Sequence, residues 1–463
     1  MKFAFVEPSS PGVHFFKKFP IPRRGIIEMA TLLRLKHGNA LETEVFIEDL
    51  VPIDINRMDF DIIGISTITP TAERAYALAD QLRSIGKIVV MGGPHVTFLP
   101  DEALLHCDFV VRGEGEKTIM ELVEYFMAPS MFKDAYAKLK SIDGLSFRHR
   151  GETYRNKDRE LTPDLDEIPM MDITLVRGYQ KIRHYPIATS RGCPFECNFC
   201  SVTAMFGRAM RFRSDDAVIS ELRYAYDLGY RKFFIIDDNY AANRKRTARL
   251  SRRIIEENLN ISLSAQVRAD VAKDPELLDL LAQSGVRTLF IGFESVSQAT
   301  LDAYNKKQTV KDIESAIKEI RKRKIDIHGM FIVGANTDDA KTALEITRFA
   351  RKRLQSIQIM LITPLPGTQL YKQMSNEGMI LHRRWGSYDG QHVVFLPASM
   401  TPEQMQNSVI AALEKFYSWG YVLRHGIRLN LDYFFIGIFG HNAVKKVAKE
   451  IPEYLSMLKK FYL

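Results

Sequence analysis

Cysteine is scarce in this chain, and where it occurs it is bunched. Four cysteines among 463 residues cannot make a disulfide framework, and three of them fall within the eight residues from Cys193 to Cys200. Long apolar runs are missing too. The longest near the C-terminus, Tyr433 to Phe439, is far short of the ~20 residues that a membrane-spanning helix needs. The first residues carry one lysine and a short apolar run before Glu7 and Pro8, which reads as a strand and turn rather than a secretion signal. A cytoplasmic protein without a transmembrane segment is therefore expected. Neither a GxGxxG nor a GxxxxGK(S/T) phosphate loop occurs, which argues against dinucleotides and ATP. No internal repeat or low-complexity tract is visible.

What is present fits a globular protein of two or three domains: 46% apolar and 26% charged residues in a chain too long for one core. The formal charge of +8 raises the question of nucleic acid. Its clusters, Arg321–Lys324 and Arg348–Arg353, fall late in predicted helices, where cations suit the negative end of the helix dipole. They read as solvated helix faces, with no nucleic-acid partner.

Residues 1–127 alternate short apolar runs (Lys2–Val6, Thr43–Ile47, Asp61–Ile65, Ile88–Met91, Phe109–Val111) with amphipathic stretches, the pattern of a doubly wound parallel sheet. Ligands of such sheets bind beyond the carboxyl ends of the strands. Those ends carry Ser66, Thr67 and Thr69, then Gly92, Gly93 and His95, then Gly113, Glu114 and Gly115. Each loop alone reads as a tight turn with a helix cap. Three such loops together suggest a nucleotide- or corrin-sized ligand approached closely by backbone. Residues 128–182 read as a connector with a hairpin turning at Arg150–Gly151. Residues 183–366 contain six strand–helix units, a partial (β/α)6 barrel with its chemistry at the carboxyl mouth. Residues 367–463 read as mainly helical, with a tail mixing aromatic and basic side chains. The fold class is thus α/β with a helical C-terminal region.

Cys193, Cys197 and Cys200 form a CxxxCxxC loop just past the first barrel strand. Thiolates are the ligands of iron–sulfur clusters, and a cubane normally takes four. Three on one loop leave an iron free to bind a cofactor or substrate. The competing reading is a structural zinc site completed by Cys107. Cys107 precedes an apolar strand and reads as a small buried side chain.

With Phe199 before the last cysteine, this loop resembles that of the radical S-adenosylmethionine superfamily. Phe234–Asn239, Gln266–Asp270, Gly292–Ser295 and Gly329–Gly334 resemble further stretches of its barrel. The resemblance implies a 4Fe–4S cluster whose open iron chelates S-adenosylmethionine. Reduction by an external donor of flavodoxin or ferredoxin type then releases a 5′-deoxyadenosyl radical. It also implies that Asp237 and Asp238 lie near the methionine amino group, and that Gln266, Arg268 and Glu294 contact its carboxylate or ribose.

Pro22–Ile26, Asp61–Ser66, Gly92–His95 and Gly113–Glu116 resemble the cobalamin-binding domain of class B radical enzymes, which include hopanoid methylases and the anaerobic bacteriochlorophyll cyclase. One departure matters: the DxHxxG signature of histidine-ligated cobalt is absent. His95 is accordingly read as shaping its loop, among residues contributing to cofactor binding. The stretch Trp385–Pro397 also resembles this subclass and is expected either to close the barrel mouth or to pack. The resulting expectation is a cobalamin-dependent methylation of an unactivated carbon in a small molecule. Its rivals are radical cyclisation, rearrangement or oxidation with the same cofactors, and a carrier or sensor without turnover. The aromatic, basic tail reads first as ordinary helical core, the alternatives being contact with an apolar, lipid-like substrate or peripheral contact with a membrane.

Overall fold

The computed structural model describes residues 1–10, 12, 21–127 and 135–462. The first sheet contains β1 (Lys2–Glu7), β2 (Glu42–Ile47), β3 (Ile62–Ser66), β4 (Ile88–Gly92) and β5 (Phe109–Val111), all parallel, with β6 (Leu145–His149) and β7 (Glu152–Arg155) antiparallel at one edge. Its order is β2-β1-β3-β4-β5-β6-β7. Phe3–Val6, Ile62–Gly64 and Val89–Met91 are buried without interruption, because helices cover both faces of a parallel sheet. The sequence reading places the hairpin in a connector. The structure joins it to the first sheet instead, with Phe147 opposite Phe109 on the three-residue strand β5. Its turn suits the assignment: Arg150 and Gly151 take φ of 51° and 84°, as a two-residue hairpin loop requires.

The second sheet contains β8 (Tyr185–Ile187), β11 (Lys232–Ile235), β12 (Ser262–Val267), β13 (Val286–Glu294), β14 (Asp326–Val333) and β15 (Ser356–Leu361). All six are parallel, in the order β15-β14-β13-β12-β11-β8, so β8 and β15 are free edges and the barrel is open. A two-stranded ribbon, β9 (Ser190–Arg191) with β10 (Arg211–Phe212), follows β8. Phe234 on β11 meets Phe290 on β13 edge to face, and Phe290 lies tilted against His328 on β14.

Burial pushes the His328 pKa down to about 4 from an ordinary 6.5. Folding thus holds it neutral where the unfolded chain would accept a proton, so stability is intact above pH 6.5 and is lost as pH falls toward 4. Thermal unfolding should show a loss on the order of 2 kcal/mol across that window, and His328→Gln should shrink the loss.

Five helices matter below: α1 (Arg24–His37), α2 (Asp215–Asp227), α3 (Pro402–Phe416), α4 (Trp419–Ile427) and α5 (Leu431–Lys459). The last three form the helical C-terminal region. Much of its aromatic content is core, since Phe416, Tyr417 and Tyr433 are buried. The Tyr417 hydroxyl accepts from the Ile357 N–H at 3.1 Å and donates to the Ile357 carbonyl at 2.7 Å, satisfying the free edge of β15. No described helix is long and apolar enough to cross a membrane.

The two halves are joined through buried charge. Arg24 on α1 pairs with Glu221 on α2, and Glu221 also takes Arg213 at 2.5 Å and the Tyr185 hydroxyl at 3.0 Å. Glu221 is fully enclosed.

A candidate radical and corrinoid site between the two sheets

The carboxyl ends of both sheets open on one cavity of about 350 Å³. Ser66, Gly92–Gly93 and Gly113–Gly115 line it from the first sheet, and Ala188, Ser190, Ile236 and Asp238 from the second. Between them the wall is largely apolar, with Phe5, Ile26, Met29, Val90 and Val111. Gly93 cannot be replaced: its φ is 102°, and a Cβ there would stand 2.6 Å from the Thr67 carbonyl oxygen. Arg23 steadies the end of β3 by donating to the Ser66 carbonyl at 2.8 Å.

Thr67, Thr69 and His95 do not line this cavity. His95 is buried behind the loop, with Nδ1 3.3 Å from Thr69 Oγ1 and Nε2 3.1 Å from the Tyr76 hydroxyl, so both ring nitrogens are engaged. Trp385 packs edge-on to it and donates to Glu102 at 2.7 Å. Trp385 therefore belongs to the core behind the loop: of the two roles that the sequence leaves open for it, the structure gives it the packing one. The Thr67 hydroxyl is buried without a partner, an unmet polar group at the strand end.

Glu114 accepts two bonds from Arg211, each 2.8 Å, and one from the Thr162 N–H. Burial would raise its pKa, but Arg211 and Arg191 more than offset that and hold the carboxyl below its usual range. Arg191 also pairs with Glu116 at 2.7 Å and Glu28 at 3.1 Å. This arginine stands two residues before Cys193, so the ribbon leading into the cysteine loop is tied to the glycine loop of the first sheet. Gly192 makes the bend between them, with φ of 94° and no room for a Cβ beside the Ala209 carbonyl.

Cys193, Cys197 and Cys200 are partly exposed on that loop. Burial raises the pKa of Cys193 and pushes that of Cys200 up to about 11, so a metal binding there must displace protons. A single zinc would hold its donors within about 4 Å of one another. Among the described residues no three His, Cys, Asp or Glu groups are gathered in that way. Cys107 lies in the core of the first half with its thiol on the Ala103 carbonyl, so it completes no such site. Three cysteines on one short loop supply the thiolates of an iron–sulfur cubane with one corner left open.

Asp237 and Asp238 diverge, as neighbours at a strand end do. Asp237 accepts from the Thr189 N–H, the Thr189 hydroxyl and the Ser190 hydroxyl, each at 2.6 Å, and so holds the approach to the cysteine loop rather than the cavity. Asp238 faces the cavity, its pKa raised to about 7 by burial and by Asp237 beside it.

Glu294 ends β13 at a register shift, with φ of 63°, a strained conformation for a side chain-bearing residue. Its carboxylate meets Lys306 Nζ at 2.5 Å, and both are buried. The Lys306 carbonyl accepts from Arg268 at 2.8 Å, and the Arg268 guanidinium lies 3.9 Å over the Phe195 ring of the cysteine loop. Gln266 stands on β12, two residues before Arg268. The structure thus groups Arg268 and Glu294 beside the cysteine loop through Lys306, a residue that no sequence pattern singles out. Arg191 was legible only by its position before Cys193.

The chain matches the Radical SAM superfamily over residues 187–350 and the B12 binding domain over residues 36–123. An uncharacterized methyltransferase of Pyrococcus horikoshii is 33% identical over 415 residues, covering 86% of this chain and 88% of that protein. The bacteriochlorophyllide d C-12(1)-methyltransferase of Chlorobaculum tepidum is 28% identical over 381 residues, covering 81% and 78%. The radical S-adenosylmethionine methyltransferase TsrM from Kitasatospora setae, solved with cobalamin and a 4Fe–4S cluster, has the same fold at a TM-score of 0.68. It is 17% identical and covers 81% of this chain and 78% of its own. The cobalamin-dependent radical enzyme OxsB, solved with aqua-cobalamin, gives a TM-score of 0.72 at 17% identity, covering 96% and 72%. With both halves matched in order and a relative aligned across most of its length, this chain belongs to the cobalamin-dependent radical S-adenosylmethionine enzymes, whose cofactors are a 4Fe–4S cluster, S-adenosylmethionine and cobalamin.

Proposed function

We propose that the enzyme methylates an unactivated carbon of a small, apolar molecule. The observation that carries this reading is the single cavity shared by the ligand ends of both sheets. It lets a methyl donor on one side and a radical generator on the other address the same substrate carbon. When bound, the three cofactors would supply an electron, a carbon-centred radical and a methyl group. The named methyltransferases among the relatives support the same reading.

In this reading Cys193, Cys197 and Cys200 hold the cluster and leave one iron corner uncommitted. Asp238 takes the methionine ammonium, which needs an anion beside it. Arg268 and Glu294, steadied by Lys306, take the carboxylate and ribose, with Gln266 alongside. Ser66, Gly92, Gly93, Gly113 and Gly115 let backbone approach the corrin face. Thr67, Thr69 and His95 shape the loop from behind. The apolar wall seats the substrate and keeps water from the radical. Asp237 and Arg191 position the cysteine loop.

Anaerobically reconstituted protein, given reductant, cobalamin and S-adenosylmethionine, should release both 5′-deoxyadenosine and S-adenosylhomocysteine once substrate is supplied. 5′-Deoxyadenosine without S-adenosylhomocysteine, and a product of unchanged carbon count, would replace methylation by cyclisation or rearrangement.

Gly292→Ala tests the S-adenosylmethionine contacts directly. A Cβ at position 292 would meet Glu294 Oε1 at 2.5 Å. The carboxylate must then shift, which disturbs its contact with Lys306, and affinity for S-adenosylmethionine should fall by up to about tenfold, the scale of losing one buried charged contact. Equilibrium binding of the cofactor to the reconstituted protein reads this out, with cluster content unchanged.

A further inference from the structure

Helix α4, the turn after it and the start of α5 carry six large apolar side chains turned to solvent: Trp419, Leu423, Ile427, Leu429, Leu431 and Phe435. Ile427 and Leu429 are each 82% exposed, far beyond what packing in a monomer leaves. Trp419, Leu423 and Ile427 are four residues apart and form one stripe along α4, while its opposite side, Tyr421 and Val422, is core. Arg428 follows on the flank of the stripe, exposed and without an acidic partner among the described residues.

This apolar edge borders a basic one. Phe435 lies at the rim of a cavity of about 1120 Å³ at the amino ends of the second sheet, opposite the cofactor cavity. The same rim carries Arg183, Arg231, Lys232 and Arg287, all exposed and none ion-paired among the described residues. Against them stand Asp432 and Asp326, the latter bonded to Tyr433.

We infer that this face docks on an anionic membrane surface, with the α4 stripe and the α4–α5 turn entering the headgroup layer and the basic rim holding lipid phosphates. An apolar helical stripe flanked by cations is the composition of a helix lying in a membrane interface. A second copy of the chain is the poorer occupant, because a two-fold interface sets a patch against itself and would face the basic rim with its own charges. Docking by this face leaves the carboxyl-end cavity open. The inference is independent of the reaction assigned to that cavity.

Co-sedimentation of the reconstituted holoenzyme with vesicles tests it. Vesicles of equal parts phosphatidylglycerol and phosphatidylcholine should bind the protein at low salt, and vesicles of phosphatidylcholine alone should bind it at least about tenfold more weakly. Leu423→Glu with Ile427→Glu should abolish sedimentation. Arg183→Glu with Lys232→Glu should lower it by about tenfold or more. Circular dichroism and cleavage of S-adenosylmethionine in solution should be unchanged in both. Sedimentation that is absent, or equal in wild type and both variants, overturns the inference. So does a dimer in solution that Leu423→Glu with Ile427→Glu converts to monomer without any vesicle binding, which would assign the face to a second copy.

Discussion

Replacing Cys193, Cys197 or Cys200 singly by alanine should abolish reductive cleavage of S-adenosylmethionine, a loss of at least about a thousandfold on the scale of ordinary enzymatic accelerations. The reason is arithmetic. A cubane held by three thiolates has one corner for the cofactor, and losing one of the three would leave two protein ligands, too few for the loop to retain the cluster. Iron and sulfide content and the visible absorption of the reconstituted protein should fall together with 5′-deoxyadenosine production. Cys107→Ala is the matched control. Its thiol sits in the core of the first half on the Ala103 carbonyl, so it should keep the cluster at a modest stability cost. A Cys107→Ala variant without cluster, or a Cys197→Ala variant with full cleavage, would remove the chemical basis of the site.

Glu221→Ala should be the most destabilising single change in the protein outside the backbone, costing about 3–5 kcal/mol. Glu221 is fully buried and holds two guanidinium groups, those of Arg24 and Arg213, together with the Tyr185 hydroxyl. Alanine would leave Arg213 enclosed without its anion and Arg24 with Glu28 alone, which is worse than having none of the three. Thermal unfolding should move down by several degrees, on the order of 5–10 °C. Arg24 belongs to the first half and Glu221 to the second, so proteolysis between residues 127 and 185 should accelerate as well. The triple replacement Arg24→Met, Arg213→Met and Glu221→Leu should recover much of the loss, because both cations leave together with Glu221 and Glu28 keeps Arg191 as its partner. If the triple variant is no more stable than Glu221→Ala, shape rather than charge governs this contact.

Much of the fold was legible because parallel strands are buried on both faces and so write themselves as unbroken apolar runs. Lys2–Val6, Ile88–Met91 and Phe109–Val111 are of this kind, and each lies within a residue of the observed strand. The partner of β6 was not legible, because Phe147 opposite Phe109 is a long-range pairing that neither run announces. The helix after β14 begins only at Thr342, since Asp338 turns back to accept from the Gly334 and Ala335 N–H groups, a local bond that residue types do not announce.

At the site, the cysteine loop was legible from spacing and the strand-end glycines from composition. Direction was not: Asp237 and Asp238 are adjacent and identical, yet one is saturated by three donors and the other faces the cavity. His95 shows the same limit, for a histidine after a Gly–Gly–Pro turn carries no mark of which way its ring points. Lys306 was illegible altogether. It reaches Glu294 from a loop in which Asn305 and Lys307 both have positive φ, a geometry that no pattern of residue types predicts.

The ties between the halves, Arg24 to Glu221, Arg191 to Glu116 and Arg211 to Glu114, have an evolutionary corollary. Such clamps set the gap between the two reactive centres once, when the chain folds, instead of at each turnover. Selection for a new substrate is thereby confined to the lining: exchanges among Met29, Val90, Val111 or Ile119 reshape the chamber while its two opposing walls stay at the same spacing. One chassis can in this way be refitted for many molecules, provided the clamps themselves are left alone.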